Sequence, residues 1–160
     1  MKLDESRHNF ARTNWGCEDL GIPVDIVLVD DDPDEHLLFR EDLKDAGVLF
    51  EFFAFTKADI ALEHLRVRDE TPVLLLTDLS LADDAALRLI EECQPYLKGG
   101  AVGVYSGTRN PDMAARCSEL GALFYIVKPV TRDKLVEAVK DLAGVTFLSG
   151  PDDALSIQIS

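Results

Sequence analysis

Residues 25–35 read DIVLVDDDPDE, and this stretch decides the architecture. Ile26 to Val29 is a compact apolar run, too short for a helix and rich in β-branched residues, as in a strand covered on both faces. It ends on Asp30, Asp31 and Asp32. Pro33 then stands where a first helical residue would, with Asp32 placed to cap it. Phe39, Leu43 and Ala46 continue as one apolar stripe that stops at Gly47. A strand, an acidic loop and a punctuated helix therefore follow in direct succession.

Working outward, the same unit recurs. Further apolar runs lie at Phe50 to Phe55, Val73 to Leu76, Ala101 to Tyr105 and Leu123 to Val127, each followed by an amphipathic segment of helical length. Thr56 and Asp59 have the spacing of a capping box ahead of the stripe Ala58, Leu62 and Leu65. A third helix is expected from about Asp84 towards Tyr96. Asn110 and Pro111 open a fourth that closes at Gly121, and Thr131 precedes a fifth marked by Leu135, Val139 and Leu142. Such alternation predicts an α/β three-layer sandwich, a five-stranded parallel sheet between two layers of helices. Residues 24–144 carry the pattern. Residues 1–23 are an N-terminal extension and residues 145–160 a C-terminal tail. Untethered ends are the default for both, although Ser156 to Ile159 alternates polar with apolar as an added edge strand would.

With 160 residues the chain has the size of one domain. Its formal net charge of -14 opposes nucleic acid and anionic membrane as partners. Cys17, Cys93 and Cys117 are odd in number and far apart, which argues for free thiols in a reducing compartment and against structural zinc. Met1 to Trp15 contains no uninterrupted apolar core, so the cytoplasm is the expected location. His8, His36 and His64 show no metal-ligand spacing, and His36 is expected on the surface.

In an open parallel sheet, ligands bind outside the carboxyl ends of the strands, where the strand order reverses. The residues just past the apolar runs are Asp30 and Asp31, Asp78, Ser106 and Lys128. Carboxylates held together there repel by roughly 4 kcal/mol per close pair at an effective dielectric near 20, and a divalent cation is the natural counter-charge. Oxygen donors alone select a hard ion, magnesium or manganese. One carboxylate can then act as a nucleophile on phosphorus if metal and ammonium neutralise the phosphoryl oxygens. Lys128 supplies the ammonium, and Ser106 a hydroxyl donor.

Asp30, Asp31, Asp78, Ser106 and Lys128, in this order on successive strands, resemble the bacterial response-regulator receiver family over about Val24 to Gly144. The resemblance implies a flavodoxin-like (βα)5 fold of strand order 2-1-3-4-5, an order that belongs to the chemotaxis receivers of that family and is not read from these residues. It implies that Asp78 is the phosphoacceptor, that Asp31 and Asp78 bind magnesium directly and Asp30 through water, and that the Ser80 carbonyl completes the protein ligands. It further implies a cis peptide between Lys128 and Pro129, and a switch in which Ser106 moves towards the phosphoryl group while Tyr125 turns inward. The partners implied are a sensor histidine kinase or a histidine phosphotransfer protein and a downstream protein target, with phosphorylation-dependent homodimers compatible with the family. No catalytic motif follows Gly144, so output by protein contact is expected from a stand-alone, non-enzymatic signalling protein.

One departure stands out. Most receivers carry Met-Pro and a later Gly after the phosphoacceptor, whereas this chain reads Leu81, Ala82, Asp83, Asp84, Ala85, Ala86. That supports one rival, a receiver-like adaptor that is never phosphorylated. A second rival is a haloacid-dehalogenase-like phosphatase, for which Asp30 and Asp32 would form the opening motif and Asp152 and Asp153 the late acidic pair. Pro33 and Asp34 fit that motif poorly, and Asp78 would have no task in it.

Overall fold

The computed structural model describes residues 23–160. The N-terminal extension up to residue 22, with His8 and Cys17, lies outside the described residues.

Five parallel strands form the central sheet: β1 (Asp25–Val29), β3 (Glu51–Phe55), β4 (Val73–Thr77), β5 (Ala101–Ser106) and β6 (Phe124–Val127), ordered β3-β1-β4-β5-β6. Setting aside the two-residue strand β2 (Val48–Leu49), this is the flavodoxin-like order implied by the resemblance. Strand β1 is buried throughout, as its unbroken apolar run requires.

Alternation along the strands sorts the side chains into two cores. Ile26, Leu28, Leu74, Leu76 and Tyr105 face α1 (Pro33–Asp45) and α5 (Arg132–Val139), against Phe39, Leu43, Leu135 and Val139. Val27, Val29, Leu75, Val102 and Val104 face α2 (Ala58–Val67), α3 (Ala85–Glu92) and α4 (Pro111–Glu119).

The caps follow the sequence reading at three of the helices. The Asp32 carboxylate accepts from the Asp34 N–H, the Asn110 side chain from the Met113 N–H and the Thr131 hydroxyl from the Lys134 N–H. The capping box expected at Thr56 does not form: α2 begins after Lys57, with no side-chain cap. The third helix ends at Glu92, and Pro95 lies in a separate 3-10 turn, Gln94–Tyr96.

The tail departs from its expectation most. Residues 145–160 fold into an antiparallel hairpin, β7 (Val145–Ser149) and β8 (Leu155–Ile159), and β8 pairs in parallel with β2. Gly47, at φ +79°, turns the chain out of α1, and its carbonyl accepts from the Leu155 N–H at 2.9 Å. Leu155, Ile157 and Ile159 enter the core shared by α1 and α5, which gives the tail enough buried apolar surface to order it. Arg132 bonds both the Ala46 and the Asp153 carbonyls, tying the start of α5 to the end of α1 and to the hairpin turn.

Candidate functional site

The carboxyl ends of the strands meet in one crevice, and the backbone ladder explains why. Val29 and Thr77 are register partners, and the Asp78 N–H continues the pairing by donating to the Val29 carbonyl at 2.9 Å. Asp30 donates likewise to Phe55 at 3.0 Å, and Lys128 to Ser106 at 2.8 Å. Asp30, Asp78 and Lys128 are thus each the first residue past their strands, and Ser106 is the last of β5. Alternation then directs Asp30, Asp78 and Lys128 to the same face as Leu28, Leu76 and Ile126, the face covered by α1 and α5.

Oxygens of Asp30, Asp31 and Asp78 all lie within 4.8 Å of one another. Asp30 and Asp78 are buried and Asp31 is exposed. Lys128 Nζ donates to Asp30 Oδ2 at 2.8 Å and to Asp78 Oδ2 at 3.1 Å, over the ring of Tyr105, whose centroid is 5.4 Å away. The Ser80 N–H donates to Asp78 Oδ1 at 3.0 Å.

These contacts separate the two buried carboxyls. Burial and the neighbouring Asp78 charge raise the pKa of Asp30 despite its bond to Lys128. Burial acts on Asp78 in the same sense, but the Ser80 and Lys128 hydrogen bonds outweigh it and the pKa is lowered, so Asp78 is held ionised. Burial alone would lower the pKa of Lys128; its bonds to Asp30 and Asp78 raise it instead, and the group stays an ammonium. Below it, burial pushes the Tyr105 hydroxyl up to about 12. This hydroxyl accepts from the Val130 N–H at 3.1 Å, just past the cis Lys128-Pro129 peptide.

The remaining predicted residues stand around this centre. Ser106 is half-buried at the end of β5, on the opposite parity from Tyr105. Tyr125 points outward: its hydroxyl donates to the Thr108 carbonyl at 2.6 Å, and the Arg109 guanidinium lies 4.8 Å over its ring. Asp32 caps α1, Asp153 pairs with Arg132, and neither is among the carboxylates that meet in the crevice, which leaves the phosphatase reading without its acidic pairs there. After Asp78, where the family's glycine is missing, Asp83 and Asp84 both adopt the left-handed conformation, at φ 58° and 57°. Asp tolerates that region better than most residues, which fits the two aspartates at these positions.

Two residues near the site were not legible in the sequence. The His36 ring nitrogen Nε2 lies 2.7 Å from the Asp30 carbonyl, so the histidine braces the acidic loop instead of standing free on the surface. Glu35 Oε2 lies 3.5 Å from Lys128 Nζ. An acidic first turn reads simply as a complement to the helix dipole, and no spacing rule points from Glu35 to a lysine so distant in the chain.

A family model, the response regulator receiver domain, matches residues 26–140. The chain belongs to this family. Receiver domains are phosphoacceptor signalling domains, generally not enzymes, and bind magnesium through acidic residues; the Asp30, Asp31 and Asp78 trio is able to hold such an ion. The receiver is 31% identical over 135 residues to a 14.6 kDa protein of Leptolyngbya boryana, covering 82% of this chain and 95% of that one. It is 27% identical over 130 residues to the transcriptional regulatory protein ZraR of Klebsiella oxytoca, covering 81% of this chain but 28% of that protein. The chain thus spans little more than a quarter of the length of that regulator. Among solved structures, a response regulator receiver domain from Rhodospirillum rubrum is 30% identical, with a TM-score of 0.59 over 74% of this chain and 90% of that one. No helix among the described residues is long and apolar enough to cross a membrane.

Proposed function

We propose that this receiver accepts a phosphoryl group on Asp78 and signals by altering a protein-binding face. The observation that carries the proposal is the electrostatic asymmetry of the crevice: Asp78 is held ionised beside a lysine ammonium, within reach of two further carboxylates. A carboxylate so placed is a nucleophile with its counter-charges already in position.

Asp30, Asp31, Asp78 and the Ser80 carbonyl would hold a magnesium ion, with manganese as a substitute. Oxygen donors in a carboxylate cluster fit a hard cation, which supplies charge neutralisation for the phosphoryl oxygens when bound. The chain's own residues do the rest. An Asp78 carboxylate oxygen attacks phosphorus, the bond from phosphorus to the donor nitrogen of a phosphohistidine breaks, and its electron pair leaves with the imidazole. Lys128 exchanges its bond to Asp78 for one to a phosphoryl oxygen, and Ser106 turns to donate to another. The donor is a sensor histidine kinase or a histidine phosphotransfer protein, working in the cytoplasm.

Tyr125 is the second half of the switch. Drawing Ser106 towards the phosphoryl group opens room for Tyr125 to leave Thr108 and Arg109 and turn inward. That changes the face formed by α4, β6 and α5, where Met113, Tyr125 and Lys134 lie and where a groove of about 640 Å³ runs between Arg109, Tyr125, Lys134 and Glu137. A downstream protein, or a second phosphorylated copy, binds there.

Incubation with magnesium and acetyl phosphate, followed by intact-mass measurement, tests the reading. The parent gains one phosphoryl group and Asp78→Ala gains none. A gain in both moves the nucleophile to another carboxylate, and no gain in a folded parent leaves a receiver-like adaptor.

A further inference from the structure

The Lys128 ammonium has three N–H groups, and two are directed to Asp30 and Asp78. On a further side stands Glu35 Oε2, 3.5 Å away, on a side chain 27% exposed. Glu35 is outside the Asp30, Asp31 and Asp78 trio and reaches the lysine from the first turn of α1. This turn is fastened to the acidic loop from both directions. Asp32 caps it through the Asp34 N–H, and His36 reaches back to the Asp30 carbonyl at 2.7 Å. The carboxylate is therefore carried by a braced element, close to the group that must meet the phosphoryl oxygens.

We propose that Glu35 is a positioning residue for Lys128: it tethers the ammonium from the mouth of the crevice and, by its charge, slows entry of dianionic phosphodonors. The inference rests on the phosphoacceptor reading of Asp78. During transfer Lys128 gives up its bond to Asp78 for a phosphoryl oxygen, and Glu35 competes for the same ammonium. With a divalent cation counted, Asp30, Asp31, Asp78 and Glu35 outweigh the cations by one negative charge, and Glu35→Gln removes it while keeping an acceptor of the same shape.

Two measurements decide the matter, with Asp34→Asn as control. Asp34 is an exposed carboxylate on the same helical turn, so its removal changes the helix end alike without touching Lys128. In the full chain with magnesium, Glu35→Gln speeds labelling by acetyl phosphate about threefold to tenfold, an effect that shrinks with added salt and with singly charged phosphoramidate as donor. In parallel, the Lys128 side-chain ammonium signal in ¹⁵N-lysine protein, assigned by its loss in Lys128→Ala, exchanges faster with water in Glu35→Gln than in the parent. Glu35→Gln matching Asp34→Asn in labelling rate overturns the proposal. If the parent takes up no phosphoryl group, the phosphoacceptor reading has failed on its own, and the exchange rate alone then upholds the tether if it rises or overturns it if it does not.

Discussion

Buried charge sits at both ends of β1, and the two ends are built differently. At the amino end Asp25 is fully buried and pairs with Arg68, whose side chain is 7% exposed and also donates to the Thr71 carbonyl at 2.7 Å. Beside β1 at the carboxyl end, Asp30, Asp78 and Glu35 surround the ammonium of Lys128, and Asp31 lies within 4.8 Å of the first two. In the first arrangement the buried acid has a buried base of its own, and the other carboxylate near that base, Asp69 at 3.9 Å, is exposed. The second is mismatched, as the proposed binding of a cation and a phosphoryl group requires. A buried acid with its own base is a feature of folding; a buried acid cluster short of a base is a feature of function.

The largest effect should come from unbalancing the matched end. Arg68→Met removes the buried base that pairs with the Asp25 carboxylate and should cost about 3–5 kcal/mol in urea unfolding, by the same amount with and without magnesium. Equal loss at both magnesium levels keeps the two ends independent; a loss that magnesium repairs breaks the comparison.

At the mismatched end, magnesium should stabilise the parent by roughly 2.7 kcal/mol when present at about a hundred times its dissociation constant, following mass action. Asp31→Asn should lose most of this gain, as seen in thermal melts with and without the ion. An undiminished gain in this variant would place the ion elsewhere.

A smaller effect comes from Asp30 in metal-free protein. Its pKa is raised in the folded state, so ionisation costs stability at neutral pH, and the cost disappears as pH falls below the ordinary carboxylate value. Asp30→Asn should therefore raise the metal-free urea midpoint at pH 7, with a gain that fades on acidification. Asp78 has the opposite sign: its lowered pKa contributes stability above the ordinary carboxylate range that is lost as pH falls through the lowered value.

The smallest effect belongs to His64, which packs between Phe53 and Phe55, its pKa lowered by burial. The unfolded chain then binds the proton more readily than the folded one. Stability should decline as pH drops through the ordinary imidazole value and below, and His64→Phe should flatten that decline in urea midpoints taken between pH 7 and 5. An unchanged slope would assign the acid sensitivity to the crevice carboxylates.

The strand ends, the parallel sheet and the residues that end the strands were legible in the sequence because each rests on local signals: an apolar run, the residue that follows it, and alternation along a strand. The meeting of Asp30, Asp78 and Lys128 rested on a strand order that only the family resemblance implied. The same locality explains what was missed. Thr56 has the spacing of a capping box, yet the helix starts after Lys57 because the spacing says nothing of where the chain leaves β3. His36 and Glu35 belong to the site only because α1 is laid across the face to which Asp30 and Lys128 point.

Order in the tail was decided by tertiary contacts as well. Ser156 to Ile159 shows an alternation that short segments without fixed structure also carry. What orders it is a groove between α1, α5 and the start of β1, where Ile157 is buried and its carbonyl accepts from the Val24 N–H at 2.9 Å. By itself, then, the sequence determined the repeating strand-helix unit and the identity of the acids and the lysine that end the strands, since periodicity and termination are properties of neighbours in the chain. Only the tertiary structure decided which helix turn overlooks the lysine, which buried carboxyl has its pKa lowered and which has it raised, and that the tail is folded. Those depend on burial and on distances between residues far apart in sequence, where the energy of a charge or of an apolar face is set by what the rest of the fold places against it.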